Sequence, residues 1–215
     1  MLHERRFVVY MGKISSYLCG VWSDIASVPR LTCESAREMR DVRSLAGSSM
    51  LTALSVVLNQ FTIFFTQVLR LSVTFLPVAM CAMLYGPLLT GAMGAAVDIL
   101  KYFTRNDGSA FFPGFTISEF MRGFLYGVFF YRRRVTLPRV AAAHLSVVVI
   151  VTLVLNPLWL SIMFGDAFIA LVSMRLVKNI VMFPIEVGLL YFLLKKTGEI
   201  YSRARSSGYY AKKSQ

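Results

Sequence analysis

The sequence has few charged residues, few cysteines and few histidines, and each shortage excludes a class of function. Only 16% of its 215 residues are charged and 56% are hydrophobic, with a mean hydropathy of +0.61, more apolar than a soluble domain requires. The three cysteines show neither metal-ligand spacing nor a pairing pattern, which indicates isolated thiols.

Motifs for nucleotide or metal chemistry are also missing from the sequence. There is no Gly-x4-Gly-Lys-Ser/Thr phosphate loop and no His-Glu-x-x-His metal motif, so this chain has no means of hydrolysing ATP itself. Of the two histidines, His144 is interpreted as a packed or interfacial residue rather than a base. With no nucleophile, base and metal grouped together, we expect neither an enzyme nor a cofactor.

The chain instead contains long runs without charge, at 44–69, 71–97 and 145–165. Each can cover a bilayer core, which needs roughly 20 helical residues. The net charge of +12 comes mostly from basic residues at the edges of these runs, where Lys and Arg act as topology signals. We therefore expect an integral protein of the cell membrane, surrounded by lipid, and no nucleic-acid partner.

Six transmembrane helices are predicted, which makes this an all-α membrane protein. Tyr85-Gly86-Pro87 interrupts the second uncharged run, and because proline favours the first turn of a helix, one helix should end near Leu84 and the next begin at Pro87. The other predicted helices cover about 44–66, 114–131, 140–164 and 167–194. Pro157 is expected to kink the fifth helix and shift Trp159.

The distribution of basic residues predicts the orientation and the domain limits. Seven Lys and Arg precede the first helix, four lie between the fourth and fifth, six follow the last, and three lie in the opposite segments, which favours two cytoplasmic termini. The membrane domain should span 35–196, followed by a basic cytoplasmic tail at 197–215. Residues 1–34 form either a polar, disordered extension or an over-long start with Met11 as the true one, since no small-residue cleavage site supports a signal peptide.

Ionisable residues inside the predicted spans indicate a site. Three pairs at i, i+3 spacing lie near the outer ends of helices: Asp98 with Lys101, Glu119 with Arg122, and Arg175 with Lys178. The first two pairs can neutralise themselves on one helical face or face a cavity, and both interpretations stay open. The third pair has no acid at i±3 or i±4, so another helix or an anionic ligand must meet its charge.

Polar and aromatic residues are predicted near the same membrane depth. A small-molecule pocket combines an apolar, aromatic lining with a few placed polar groups, although a single aromatic residue more often contacts lipid. The group comprises Asn59, Gln60, Arg70, the segment 111–116, Asn156, Trp159 and Asn179.

Several segments between about 35 and 196 are distinctive in their order and spacing. They are Arg-Glu-Met-Arg-Asp-Val-Arg-Ser-Leu (37–45), Leu-Arg-Leu-Ser-Val-Thr-Phe-Leu-Pro (69–77), Gly86-Pro87 with Gly91, Gly94 and Asp98, Phe-Phe-Pro-Gly-Phe-Thr-Ile-Ser (111–118), Asn-Pro-Leu-Trp-Leu-Ser (156–161) and Arg-Leu-Val-Lys-Asn (175–179). Through these segments together the sequence resembles the substrate-binding (S) components of energy-coupling-factor (ECF) transporters, and most of all the folate-specific members.

The resemblance implies an S-component-like bundle with its pocket on the outer side. It also implies a membrane-embedded scaffold subunit and two ATPase subunits as partners. Ser49 and Ala53 occupy the positions of an Ala-x-x-x-Ala pattern with which the family's first helix meets the scaffold; Ser49 departs from the pattern but is still small, so close helix contact stays possible. Ordinary packing inside the bundle is the alternative for both residues.

Folate pairs a flat pterin and an aromatic middle with a glutamate tail. We expect Arg175 and Lys178 to bind the tail, helped by Arg70 or Arg122, and either Asp98 or Asn156 to bind the pterin edge. The aromatic body of folate is expected to stack on Phe112, Phe115 or Trp159. The full set of predicted substrate-binding residues is Arg70, Asp98, Phe112, Phe115, Thr116, Asn156, Trp159, Arg175 and Lys178.

Other functions remain open at this point. The nearest is an S component for another vitamin, such as pantothenate, riboflavin or thiamine. A different class is a self-sufficient proton-coupled carrier with Glu119 or Asp98 as its proton site. A membrane enzyme or a structural scaffold is the least favoured.

Overall fold

The fold is described by a computed structural model that covers most of the chain after residue 40. The described residues are 41–60, 73–104, 111–164 and 168–213, together with 32, 35, 36, 39, 63, 64, 70 and 71. They form six helical spans in sequence order, and the fifth span consists of three consecutive helical segments. Nearly all of the predicted extension at 1–34 lies outside the described residues.

The first helix, α1, runs from Val42 to Gln60. Asp41 caps its start: the carboxylate accepts hydrogen bonds from the Arg43 amide and the Ser44 hydroxyl, each at 3.3 Å, as is typical of an N-cap residue. The predicted end near Thr66 is wrong. Two short antiparallel strands, β1 (Ile63–Phe64) and β2 (Arg70–Leu71), follow instead, in keeping with the strand preference of β-branched and aromatic residues.

The second and third spans separate where the sequence predicted. Helix α2 covers Phe75–Tyr85 and α3 covers Pro87–Thr104. Gly86 between them has a φ of +88°, a conformation that favours glycine. The Ser35 hydroxyl accepts hydrogen bonds from the Leu88 and Leu89 amides, at 3.1 and 3.4 Å, so a residue about 50 positions away caps the start of α3.

Helix α4 (Pro113–Phe130) packs against α3 with the two backbones in contact. A side chain at Gly94 would meet the carbonyl oxygen of Glu119, and one at Gly123 would meet the carbonyl oxygen of Thr90. Glycine at these two positions therefore allows the close approach that small residues give helices in membranes.

The fifth span consists of α5 (Leu137–Val147), a π-helical segment (Val148–Leu155) and α6 (Asn156–Phe164). The Asn156 amide bonds to the carbonyl of Val151, five residues earlier. Pro157 follows at once, and because proline supplies no amide hydrogen and crowds the preceding turn, the wider turn accommodates it. The irregularity predicted at Pro157 is thus a π-helical segment just before it.

The last helix, α7, runs from Phe168 to Lys213 with Pro184 inside it. Its predicted end near Leu194 is wrong, because helical backbone continues through most of the segment predicted as a tail. Two helical stretches among the described residues, Leu137–Met163 and Arg175–Arg203, are by themselves long and apolar enough to cross a membrane.

The buried core lies between α2, α3, α4, the fifth span and α7. Its fully buried members include Ala82, Tyr126, Val140 and Leu190. The outward surface is also apolar, as a bundle in lipid requires; on α7 it exposes Val177, Ile180, Val181, Ile185 and Phe192.

Candidate substrate-binding site

Three aromatic rings meet where α4 begins and α6 passes beside it. The ring centroids of Phe112 and Phe115 are 6.0 Å apart, and those of Phe112 and Trp159 are 5.8 Å apart. Gly114 lies between them, and a side chain there would collide with Phe112 and Trp159. The Phe-Pro-Gly-Phe motif thus brings rings from two helices together as one aromatic surface.

Polar groups connect this aromatic surface to its supporting helices. The Thr116 hydroxyl donates a 2.8 Å hydrogen bond to the Asp98 carboxylate, which joins α4 to α3. The Trp159 indole nitrogen donates to the Ser118 hydroxyl at 3.1 Å, which joins α6 to α4. Asp98, Thr116 and Trp159 are all partly buried, so a hydrogen-bonding edge adjoins the three rings, which meet edge to face or tilted.

Of the ionisable pairs on α3 and α4, Glu119 and Arg122 form a direct ion pair. The guanidinium contacts both carboxylate oxygens, at 2.7 and 2.9 Å, and both side chains are about four-fifths buried. The interpretation of this pair as self-neutralising is confirmed. In the other pair, Asp98 with Lys101, the Asp98 carboxylate accepts a hydrogen bond from Thr116 of α4.

Arg175 and Lys178 lie on the side of α7 that faces the bundle. Both are partly buried, whereas Leu176, Val177 and Ile180 between and beside them are 42–65% exposed. Helix α7 packs against α6, which carries Trp159. These two cations therefore lie on the bundle-facing side of a helix that packs against the one carrying Trp159.

Asn179 follows Lys178 on the same helix. Its side-chain nitrogen is buried and has no hydrogen-bond partner among the described residues. Such groups are rare because an unpaired buried donor is costly. A ligand that carries an acceptor would satisfy it.

The structure brings together five predicted site residues through contacts: Asp98, Phe112, Phe115, Thr116 and Trp159. Asn156 is partly buried at the start of α6, one turn before Trp159. The backbone of Arg70 lies in β2, opposite Phe64, and its side chain is outside the described part of the molecule.

The two predicted partner-packing residues, Ser49 and Ala53, are both exposed on α1. The Ser49 hydroxyl donates to the Leu45 carbonyl at 2.8 Å, so it presents no unpaired donor. Exposed Met50, Leu54 and Val57 extend the same apolar surface.

Sequence reasoning missed two polar residues that the fold uses. Ser118 accepts the Trp159 hydrogen bond, and its only signal was a hydroxyl two positions after Thr116. Glu186 bonds to His144 at 2.8 Å, and a lone acid inside the apolar run of α7 was the available signal. His144 itself is 4% exposed, in agreement with its interpretation as a packed residue.

Comparison with known proteins identifies relatives of this chain. Residues 43–194 match the family described as "ECF transporter, substrate-specific component". The chain is 39% identical over 153 residues to the folate transporter FolT of Clostridium novyi (strain NT). The matched region covers 71% of this chain and 88% of that protein. It is 35% identical over 160 residues to FolT of Leuconostoc mesenteroides, covering 72% and 85%.

A solved structure has the same fold. The crystal structure of FolT bound with folic acid superposes with a TM-score of 0.66 at 35% identity, covering 73% of this chain and 95% of that one. This confirms the predicted all-α, six-helix membrane bundle. The family match spans most of the chain, and the protein is an integral membrane protein that belongs to the substrate-specific components of ECF transporters.

Proposed function

We propose that this chain captures folate at the membrane as the substrate-binding subunit of an ECF importer. The observation that carries the proposal is the group formed by Phe112, Trp159, Thr116 and Asp98, which sets an aromatic surface beside a hydrogen-bonding edge. A pterin needs both. Similarity to FolT proteins, one of them in complex with folic acid, supports the same substrate.

Each part of folate has a counterpart in this arrangement. Asp98, or Asn156 nearby, binds the polar edge of the pterin, and Phe112, Phe115 and Trp159 stack on the aromatic body. Arg175 and Lys178 bind the carboxylates of the tail through charge-assisted hydrogen bonds. Arg122 contributes less to the tail because it is already paired with Glu119.

The same proposal includes partner subunits. The sequence has no phosphate-binding loop, so ATP hydrolysis must come from other subunits; membership of the ECF family implies two ATPase subunits and a membrane-embedded scaffold. The exposed Ser49 and Ala53 on α1 form the contact with the scaffold, and both termini face the cytoplasm, where basic residues concentrate. The pairing of Glu119 with Arg122 favours this importer over a carrier that would use Glu119 as its proton site.

Titration of the purified chain, alone in nanodiscs, tests the proposal. Folic acid, pantothenate, riboflavin and thiamine are titrated separately, with tryptophan fluorescence as the signal and calorimetry as confirmation. The chain contains two tryptophans, so Trp159→Phe is the control that assigns the quenching. Saturable binding of folic acid supports the proposal; binding of another vitamin alone would change the substrate, and no binding to any of them would contradict capture by this chain.

A further inference from the structure

A second polar network lies about three helical turns from the aromatic group. His144 on α5 bonds through Nδ1 to the Tyr126 hydroxyl of α4 at 3.0 Å and through Nε2 to the Glu186 carboxylate of α7 at 2.8 Å. Tyr126 and His144 are 1% and 4% exposed. Phe75 and Phe183 flank the imidazole, with centroids 6.2 and 5.4 Å away.

The hydrogen-bonding capacity of the three groups matches. An ionised carboxylate only accepts hydrogen bonds, so Nε2–H of His144 donates to Glu186, while Nδ1 and the Tyr126 hydroxyl can each act as donor or acceptor to the other. All polar atoms of the imidazole are then satisfied inside an apolar bundle. Satisfied networks of this kind specify one arrangement of the elements that they join.

The network connects the two helices that carry opposite parts of the proposed site. Ten residues separate Thr116 from Tyr126 along α4, which is about 15 Å of helix, and eleven residues separate Arg175 from Glu186 along α7, which is about 16 Å. Both helices run from the site toward the network. Because eleven residues make about three turns, Arg175 and Glu186 also project from the same side of α7.

The contact of Glu186 with His144 lies close to Pro184, where α7 is locally weakened. Pro184 lies in α7 between Arg175 and Glu186, and a proline removes the hydrogen bond to the carbonyl four residues earlier and weakens the helix locally. Helix α7 also packs against α2, α5, the π-helical segment and α6, and a polar contact near Pro184 further limits the tilt and rotation of the part that carries Arg175 and Lys178. Glu186 is two residues past the proline and is fixed through His144 to Tyr126.

We propose that Tyr126, His144 and Glu186 form a positioning site that sets the register of α7 against α4, and so holds Arg175 and Lys178 opposite the carboxylates of the bound ligand. The proposal rests on the proposed function for the identity of that ligand. Its structural part, the fixed position of α7, does not depend on any ligand.

Hydrogen exchange of the ligand-free protein in nanodiscs tests the structural part. In Glu186→Leu, amides at 175–182 should exchange about tenfold faster, equivalent to about 1.4 kcal/mol, while amides at the α3–α4 contact keep their rates. Glu186→Gln keeps an oxygen acceptor for His144 and should resemble the unmodified protein. Glu199→Leu is the control on the same helix, since Glu199 is paired only with nearby Lys196, at 3.8 Å, in the described contacts.

Paired titrations test the functional part on the same samples. Pteroic acid has the pterin and aromatic ring of folic acid but no glutamate tail. Glu186→Leu should weaken folic acid binding about tenfold and leave pteroic acid binding nearly unchanged, because only the tail contacts depend on α7. Equal losses for both ligands, or no loss for either, would overturn the proposal.

Two further outcomes are separable. If Glu186→Leu does not give a monodisperse protein, Tyr126→Phe decides, because it removes only the hydroxyl and keeps the ring stacked on Phe130; unchanged exchange at 175–182 in that variant would overturn the proposal. If the unmodified chain binds no folic acid, the proposed function is wrong, and the exchange rates still show whether the network fixes α7.

Discussion

The indole nitrogen of Trp159 donates a 3.1 Å hydrogen bond to the hydroxyl of Ser118, and this bond holds the indole ring of α6 beside Phe112, the residue that precedes α4. Ser118 is 1% exposed, so the bond is shielded from competing water. The orientation of Trp159 therefore depends on a residue that has no direct place in the aromatic surface.

Removing this hydroxyl should weaken substrate binding. Ser118→Ala leaves the indole donor without its partner, which costs about 1–3 kcal/mol, and we expect a loss of about fivefold or more in folic acid affinity by calorimetry. Ser146→Ala is the matched control, because the Ser146 hydroxyl bonds only within its own helix, to Ala142 at 2.8 Å, in the described contacts. Equal affinities for the two variants would mean that Ser118 does not position Trp159.

Thr116 is expected to act through Asp98. Thr116→Val keeps the shape of the side chain but removes the 2.8 Å hydrogen bond to the carboxylate, so binding of both folic and pteroic acid should weaken about fivefold, equivalent to about 1 kcal/mol. Thr104→Val, which removes a hydroxyl bonded to its own helix at Leu100, should have no effect. A loss confined to folic acid would refute the assignment of Asp98 to the pterin edge.

Arg175 is expected to distinguish ligands with and without the tail. Arg175→Ala should weaken folic acid binding about tenfold to a hundredfold, since hydrogen bonds to charged groups contribute about 1.5–3 kcal/mol, and pteroic acid binding should change little. Lys196→Ala on the same helix, beyond the site, is the control. Unchanged folic acid affinity in Arg175→Ala would refute the tail assignment.

The contact between α3 and α4 should be sensitive to a single methyl group. In Gly123→Ala the added carbon meets the Thr90 carbonyl, and overpacking of this kind costs about 1–3 kcal/mol, so the Tm should fall by several degrees. Gly188→Ala on α7, where an added carbon meets nothing within 4 Å, should leave the Tm unchanged or raise it. Thermal unfolding in one detergent measures both, and a stable Gly123→Ala would contradict the described contact.

The exposed surface of α1 should affect partner assembly and not capture. Ala53→Leu adds bulk where close helix contact is proposed, so co-purification with the scaffold and ATPase subunits, and folate uptake by cells, should fall while folic acid affinity is kept. Val181→Leu, on the exposed side of α7, is the control. Uptake that continues in cells without any ATPase subunit would instead favour a self-sufficient carrier.

Local rules predicted much of this fold from particular residues. The uncharged runs predicted membrane helices, Gly86-Pro87 predicted the division between α2 and α3, and the Phe-Pro-Gly-Phe motif predicted the aromatic group at the start of α4. The predicted first helix was too long and the last too short. Ile63 and Phe64 are as compatible with a strand as with an apolar helix, and polarity after Leu194 does not by itself end a helix.

Membrane location, helix order and the kinds of side chain available to a ligand follow from the sequence alone, because hydropathy, charge and turn preferences act over a few neighbouring residues. Only the tertiary structure decided that Trp159 pairs with Ser118, that Arg122 pairs with Glu119, and that Glu186 reaches His144. These partners lie on different helices or compete with equally close alternatives. Which partner each side chain meets depends on the close approach of α3 and α4 at their glycines and on the direction that the π-helical segment gives to α6. No local sequence pattern specifies either of these.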